Sequence, residues 1–328
     1  MRILAHLHKF LPHHRGGAEH HALEVLRYFA DQGHGVVAAV RTVPGDYTIH
    51  GIRVMSTRDR LDELQALYRW CDVAITHLDV TRGARLEAAK AGKPLVHLVH
   101  NERTLRAQGV KRDGAALIAY NSEWLRRQVE DVEGDKLFAD RSMVVRPRVR
   151  CKDYEVTSSR ECLTLINLSE NKGADTFWEL ARLMPERRFL GVEGSYTEPV
   201  SRDRGQIMPP DLPNVEVVPT GDVVPVYART DVLLMPSHYE SWGRTALEAA
   251  ASAIPVIAHP TPGLMEAMGA SALYAPRLVP EAWVNWLLRL DEPGFRQMMS
   301  DAAWEHARLQ ERVARDDLEA LSARLEEL

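Results

Sequence analysis

The chain has 328 residues, with 41 Lys and Arg against 46 Asp and Glu and a formal net charge of -5. Its 45% hydrophobic and 27% charged content is that of a globular protein and excludes a disordered or low-complexity chain. The length suits two domains, each able to bury its own core, and no apolar run is long enough to form a membrane span.

The three cysteines, Cys71, Cys151 and Cys162, have no Cys-x-x-Cys spacing and read as reduced thiols of a cytoplasmic protein. The opening MRILAHLHKF lacks a long apolar segment with a small-residue cleavage site, so it reads as mature structure. Fourteen histidines include the adjacent pairs His13-His14 and His20-His21, but no His-Glu-x-x-His spacing, and no metal site is expected. Charge is uneven. Through Lys152 there are 25 Lys and Arg against 18 Asp and Glu; the remainder has 16 against 28. A basic first half would suit an acidic partner, such as a phosphorylated acceptor, an anionic lipid surface or nucleic acid. Arg103, Arg106, Lys111, Arg112, Arg126 and Arg127 read equally well as solvated helix faces.

In chain order, Ile3 to Leu7 predicts a strand, Ala18 to Asp31 a helix with Ala22, Val25, Leu26 and Phe29 on one side, and Gly33 its stop. Strands are expected at 36–40, 52–55, 73–76, 94–99 and 116–120, with helical patterns between most of them. Such alternation predicts a parallel sheet covered by helices on both faces. RPRVRCKDYEVTSSR, residues 146–160, reads as an interdomain linker. The pattern then restarts, with strands at 163–167, 188–192, 215–218, 232–235 and 255–258 and a helix over 174–183. Two doubly wound α/β domains are expected, 1–148 and 149–328. The second ends in a charged helix from about Phe295 with Leu309, Val313, Leu318, Leu321 and Leu325 as its packed stripe.

The segment HYESWGRTALEAAASAIPVIAHPTPGL, residues 238–264, follows a strand and holds Glu240 and Glu248 with seven residues between them. A strand end leading through Ser and Gly into a helix start points backbone N–H groups outward, where they and the helix dipole suit a phosphate. Glu240 at the loop tip could accept from sugar hydroxyls. Glu248, inside the helix, could reach a ribose.

This segment closely resembles the donor-site signature of glycosyltransferase family 4, whose members are retaining enzymes of the GT-B fold, two Rossmann-like domains facing across a cleft. Three further segments resemble that family in the same order: RILAHLHKFLPHHRGGAEHHALEVLRYFADQGHGV; VHLVH followed by AYNSEWLRRQV; and INLSENKGADTFWELARLMPERRFLGVEG. The resemblance implies an N-terminal acceptor-binding domain and a C-terminal domain that binds a nucleoside-diphosphate sugar, UDP- or GDP-linked. The acceptor is open: a small molecule, a saccharide or nucleic acid. No separate cofactor and no obligate metal are implied.

By matching position, the resemblance implies that Glu240 contacts the donor sugar, Glu248 the nucleotide ribose, and Lys172 the diphosphate leaving group. Ser241, Trp242 and Gly243 would lie where backbone approaches the donor. Gly16 and Gly17 would form an acceptor or phosphate loop, and His100 would reach the donor sugar. The family usually has an arginine where this chain has Asn167, and Arg244 is the candidate to supply the missing charge. The family's usual glycine is Ala253, and its Pro-Asn-Gly crossing is here Arg-Pro-Arg. Structural readings stand beside these: a helix start at Lys172-Gly173, a core histidine at His100, an ordinary turn at Gly16-Gly17 and a packing role for Trp242. Alternative functions are a sugar-nucleotide epimerase or phosphorylase-like enzyme on the same fold, or a non-catalytic sugar-nucleotide-binding module. A Rossmann dehydrogenase is disfavoured, because Gly16-Gly17-Ala18-Glu19 lacks the glycine spacing and Val40-Arg41 ends the second strand without an acid.

Overall fold

The structure is a computed structural model, and it describes residues 1–101, 114–132, 140–194 and 211–328. The chain divides into two compact units. Unit 1 comprises Met1–Arg148 with Val313–Leu328, and unit 2 comprises Val149–Arg312.

In unit 1, β1 (Arg2–Leu7), β2 (Gly35–Val40), β3 (Tyr47–Ile49), β4 (Ile52–Ser56), β5 (Val73–His77), β6 (Leu95–Val99), β7 (Leu117–Tyr120) and β8 (Ser142–Val144) form one sheet in the order β3-β4-β2-β1-β5-β6-β7-β8. All neighbours are parallel except β3 and β4. The helices α1 (Gly17–Asp31), α2 (Leu61–Trp70), α3 (Thr81–Ala91) and α4 (Glu123–Val132) lie between strands in sequence. Alternate strand residues enter different cores. Ile3, Ala5 and Leu7 pack in one cluster with Val25, Leu26 and Phe29 of α1, whereas Leu4, Ala39 and Ala74 pack with Leu64 and Tyr68 of α2 and Ala84 and Ala88 of α3. That is why the strands read as continuous apolar runs. The expected stop of α1 is realised as a Schellman turn: Gly33, at φ +80°, donates to Ala30 O at 2.9 Å, and His34 N donates to Phe29 O at 3.1 Å.

In unit 2, β9 (Cys162–Ile166), β10 (Arg188–Val192), β11 (Val215–Val218), β12 (Thr230–Met235), β13 (Val256–Ala258) and β14 (Leu273–Tyr274) form a second sheet in the order β11-β10-β9-β12-β13-β14. Every neighbouring pair is parallel. Counted from β9, this is the doubly wound order 3-2-1-4-5-6. The longer helices are α5 (Ala174–Leu183), α6 (Arg244–Ala251), α7 (Pro262–Met268), α8 (Pro280–Arg289) and α9 (Pro293–Glu326). Val232, Leu234 and Ile257 pack with Phe177, Leu180 and Ala181 of α5, while Leu233, Met235, Val256 and Ala258 pack with Ala246, Leu247 and Ala250 of α6. The helices that follow β9 and β12 therefore cover opposite faces of the sheet.

The last helix corrects two expectations. Residues 313–328, assigned from the sequence to the second domain, belong to unit 1. Leu318, Leu321 and Leu325 are buried with Ile3, Val25 and Val36. Leu309 is 45% exposed and Val313 is only partly buried; Ala303, Ala307 and Ala314 take the buried positions instead. Asp317 fixes this stretch within unit 1, accepting from Arg146 N at 3.0 Å and from Arg146 Nη1 at 2.9 and 3.0 Å. Three short strands, β3, β8 and β14, were not expected. β3 returns to β4 through His50 and Gly51, at φ 47° and 77°, a two-residue turn with both centres left-handed.

Truncating Leu321 to Ala is expected to destabilise unit 1 by about 2–5 kcal/mol, because it empties a fully buried position. Truncating the exposed Leu309 should change stability by no more than about 0.5 kcal/mol. Denaturant titration of both variants checks the assignment of the C-terminal residues.

Candidate functional site

Where adjacent strands of a doubly wound sheet send their helices to opposite faces, the loops above their carboxyl ends separate and leave a crevice. In unit 2 that place is between β9 and β12. Beyond β9, residues Glu170–Lys172 make a short 3-10 turn that ends at Gly173, at φ +88°. A Cβ on Gly173 would sit 2.4 Å from Pro236 O, so only glycine lets this loop close on the one beyond β12. His238 N donates to Asn171 O at 2.9 Å and ties the two loops together.

The loops place Lys172 and Glu240 in contact. Lys172 Nζ donates to Glu240 Oε1 at 2.5 Å, and Ser237 Oγ donates to the same oxygen at 2.9 Å. Neither side chain is fully buried: Lys172 is 27% and Glu240 13% exposed. An ammonium has three donors and a carboxylate two acceptor oxygens, so both keep capacity for a ligand.

Glu248 is placed differently. It lies on α6, four residues after Arg244, and Arg244 Nε donates to Glu248 Oε1 at 2.7 Å. Tyr227 OH donates to Glu248 Oε2 at 3.0 Å, and Arg244 Nη2 donates to Tyr154 OH at 2.8 Å. Arg244 and Glu248 are 8% and 7% exposed. Burial first, and the Glu248 charge second, push the Tyr227 phenol well above its ordinary range, so it stays a donor. Arg244, the candidate for the missing cation, is thus engaged by Glu248 and Tyr154 within unit 2.

Gly243 caps α6 at φ +94° with no side-chain cap, and a Cβ there would meet Leu264 Cδ2 at 2.3 Å. The first N–H groups of α6 and the positive end of its dipole lie beside the Glu240 loop. Ser241 lies in that loop. Trp242 is 3% exposed and packs with Met235, Leu247 and Leu264, which is its packing reading. Gly263 was not singled out from the sequence; its Cβ would sit 2.2 Å from Glu240 O, so the start of α7 abuts the loop backbone. Asn167 adopts φ +74°, and its Oδ1 lies where a Cβ on Gly194 would be, 2.3 Å away. Its backbone N–H and that of Leu168 donate to Val192 O, towards β10. Arg277 braces the Lys172 turn: its Nη2 donates to both oxygens of Asp175 at 2.8 Å and to Glu170 O at 3.3 Å.

A cavity of about 370 Å³ lies at the other end of the same sheet, against Thr230, Asp231, Ile254, Pro255 and Trp304. Several of its polar groups are already engaged: Ser158 Oγ donates to Thr230 O, Ser252 Oγ to Tyr154 O, and Arg296 holds Asp231. The chemistry favours the carboxyl ends.

In unit 1 the reversal lies between β1 and β5; His77 ends β5, and His100 follows the next strand, β6. His100 is 8% exposed, and its Nε2 lies 2.9 Å from Nδ1 of His21 on α1. The His77 and His100 rings meet edge to face at 5.3 Å. Burial lowers His100 well below the ordinary imidazole range, with the charges of His21, His77 and His97 adding to it. Burial likewise brings His77 to about 3 and His97 to about 4, so these rings are neutral near pH 7. Gly16 is the N-cap of α1, and a Cβ on Gly17 would meet nothing within 4 Å. Arg126 and Arg127 pair with Glu123 on their own helix, at 2.6 and 3.2 Å. Arg103, Arg106, Lys111 and Arg112 lie outside the described residues.

Among the described residues, no group of three or more His, Cys, Asp or Glu is arranged to hold a metal ion, and no helix is long and apolar enough to cross a membrane. Cys71, Cys151 and Cys162 are buried and unbridged.

Parts of the chain and its fold are similar to known proteins. Residues 160–292 match the model of the family described as glycosyl transferases group 1. A D-inositol 3-phosphate glycosyltransferase of Saccharomonospora viridis is 42% identical over 89 residues, which is 26% of this chain and 21% of that protein. The chain thus spans about a fifth of the length of the curated relatives it matches. Over all of both chains, the structure is similar to Anabaena Alr3699/HepE in complex with UDP and glucose, at TM-score 0.78 and 17% identity. An alpha-glucosyltransferase in complex with UDP and a 13-mer DNA containing an HMU base matches at TM-score 0.68 and 13% identity, over 93% of this chain and 94% of that one. The fold is GT-B.

The two ion pairs should behave oppositely on mutation. Arg244→Ala strands a buried carboxylate and is expected to cost about 3–5 kcal/mol. Lys172→Ala breaks a partly exposed pair and should cost about 1 kcal/mol or less. Thermal melts of the two variants test this contrast; equal losses would show that Lys172 is as structural as Arg244.

Proposed function

We propose that the protein is a retaining glycosyltransferase of the family 4 type, moving a sugar from a nucleoside-diphosphate sugar to an acceptor hydroxyl. The observation that carries this reading is the Lys172–Glu240 pair at the β9/β12 reversal, where two loops meet beside the uncapped start of α6. A cation and the amides of a helix start at one place suit a diphosphate; a carboxylate next to them suits the hydroxyls of the attached sugar. The family model covers this segment.

In this reading Lys172 and the first amides of α6 stabilise the negative charge that grows on the leaving diphosphate. Glu240 accepts from sugar hydroxyls, with Ser241, Trp242 and Gly243 contributing backbone. Glu248 accepts from the ribose, held rigid by Arg244 and Tyr227. Arg244 therefore acts through Glu248 and does not replace the arginine absent at Asn167. The donor's bond from the anomeric carbon to phosphate oxygen breaks as the acceptor oxygen attacks on the same face. The acceptor proton passes to the departing phosphate oxygen, leaving a glycoside and a nucleoside diphosphate. No protein base is needed for that transfer. Lys172 and the amides neutralise the diphosphate without an obligate metal, so EDTA is expected to leave turnover intact. His100 meets a sugar hydroxyl, and Gly16-Gly17 opens space for acceptor or phosphate. The first 152 residues are net basic, which suits an anionic acceptor. The names of the relative and of the DNA-bound neighbour point the same way.

Calorimetry with UDP, GDP, ADP and dTDP is expected to find one diphosphate that binds. Lys172→Ala should weaken it by about tenfold or more, the worth of one charge-assisted contact. Glu248→Gln should weaken it less while preserving the Arg244 contact. If no diphosphate binds the folded wild-type protein, the donor-site reading fails.

A further inference from the structure

The reading above gives His100 a sugar hydroxyl but leaves open how a buried imidazole presents the right nitrogen to it. His100 has two ring nitrogens. Nε2 is 2.9 Å from His21 Nδ1, and Nδ1 has no hydrogen-bond partner among the described residues. The His21 and His100 rings meet at 5.0 Å with an interplanar angle of 83°. The His77 ring meets the His100 ring edge to face and offers it no hydrogen bond among the described residues.

Two imidazoles joined through one nitrogen each can place only one proton between those nitrogens. There are two ways to do so. If His21 Nδ1 carries the proton, His100 must also carry its own on Nδ1, so both rings take the form that free imidazole side chains disfavour. If His100 Nε2 carries it, both rings take the favoured Nε2–H form, and His21 Nδ1 is the acceptor. A second proton would set N–H against N–H at 2.9 Å inside a buried cluster.

We propose that His21 is a positioning residue. By accepting a hydrogen bond at Nδ1 from His100 Nε2–H, it locks the His100 tautomer and leaves His100 Nδ1 as an unshared pair that accepts from a sugar hydroxyl. The proposal rests on the glycosyl-transfer reading only for the identity of that hydroxyl; the tautomer stands on the geometry of unit 1. It also accounts for a histidine at a position of α1 that is 1% exposed.

Two substitutions separate positioning from packing. His21→Phe keeps the ring volume and removes the acceptor. His21→Asn keeps an acceptor near the Nδ1 position and leaves a smaller side chain. Packing alone ranks Phe above Asn; positioning ranks Asn above Phe. Nitrogen-15 NMR of histidine-labelled protein reads the tautomer directly. Wild type and His21→Asn should show His100 protonated at Nε2 alone, and His21→Phe should show a mixture. Diphosphate release from UDP-glucose and GDP-mannose gives the second readout. For whichever is turned over, kcat should fall about tenfold or more in His21→Phe, the worth of one orienting hydrogen bond, with KM little changed and His21→Asn near wild type. Protonation of His100 at Nδ1 in wild type, an unchanged tautomer in His21→Phe, or turnover retained in Phe and lost in Asn overturns the proposal. If wild type turns over neither donor, the transferase reading is what fails, and the NMR comparison decides the tautomer claim by itself.

Discussion

In a parallel sheet, every helix must leave one strand's carboxyl end and return to the next strand's amino end. Where the direction of winding reverses, two neighbouring strands send their chains to opposite faces, and nothing closes the space above them. Each unit of this protein contains that reversal: between β1 and β5 in unit 1 and between β9 and β12 in unit 2. The chemistry-bearing residues collect there. Lys172 follows β9 and Glu240 follows β12; His77 ends β5, and His100 follows its neighbour β6.

The sheet supplies the place, and close backbone contacts supply the precision. Gly173 against Pro236, Gly243 against Leu264 and Gly263 against the carbonyl of Glu240 are three points where a methyl group would not fit. Together they press the Lys172 loop, the Glu240 loop and the start of α7 into one piece. The two ion pairs of unit 2 then divide the work. Arg244 and Glu248 are sequestered and held by Tyr227 and Tyr154, a rigid arrangement that loses much if either member is removed. Lys172 and Glu240 stay partly open to water, where a ligand can compete for them.

Much of this was legible in the sequence, for identifiable reasons. Buried parallel strands are unbroken apolar runs, so β1, β2, β5 and β10 stand out; β3, β8 and β14, with two or three residues each, have no run to detect. Glu240 and Lys172 sit in loops that directly follow strong strands, so their position at the sheet's carboxyl edge follows from order alone. The pairing of Arg244 was missed, although a glutamate four residues on along a helix is a natural partner. Tyr227 and Tyr154 were not. They reach Glu248 and Arg244 from segments 21 and 90 residues away, and no local pattern marks them. The C-terminal helix misled for a related reason. Its periodic leucines announce a buried stripe but not which core buries it, and the alanines that pack within unit 2 carry little signal.

The central claim is that the carboxyl ends of β9 and β12 bind a nucleoside diphosphate. Hydrogen–deuterium exchange of the intact protein, with and without the diphosphate that calorimetry selects, tests it most directly. The account predicts protection over 167–173 and 237–248, with no change at the amino ends of the same strands, 158–162 and 229–231. Protection at those amino ends, or saturation by ligand without protection of either loop, would contradict it.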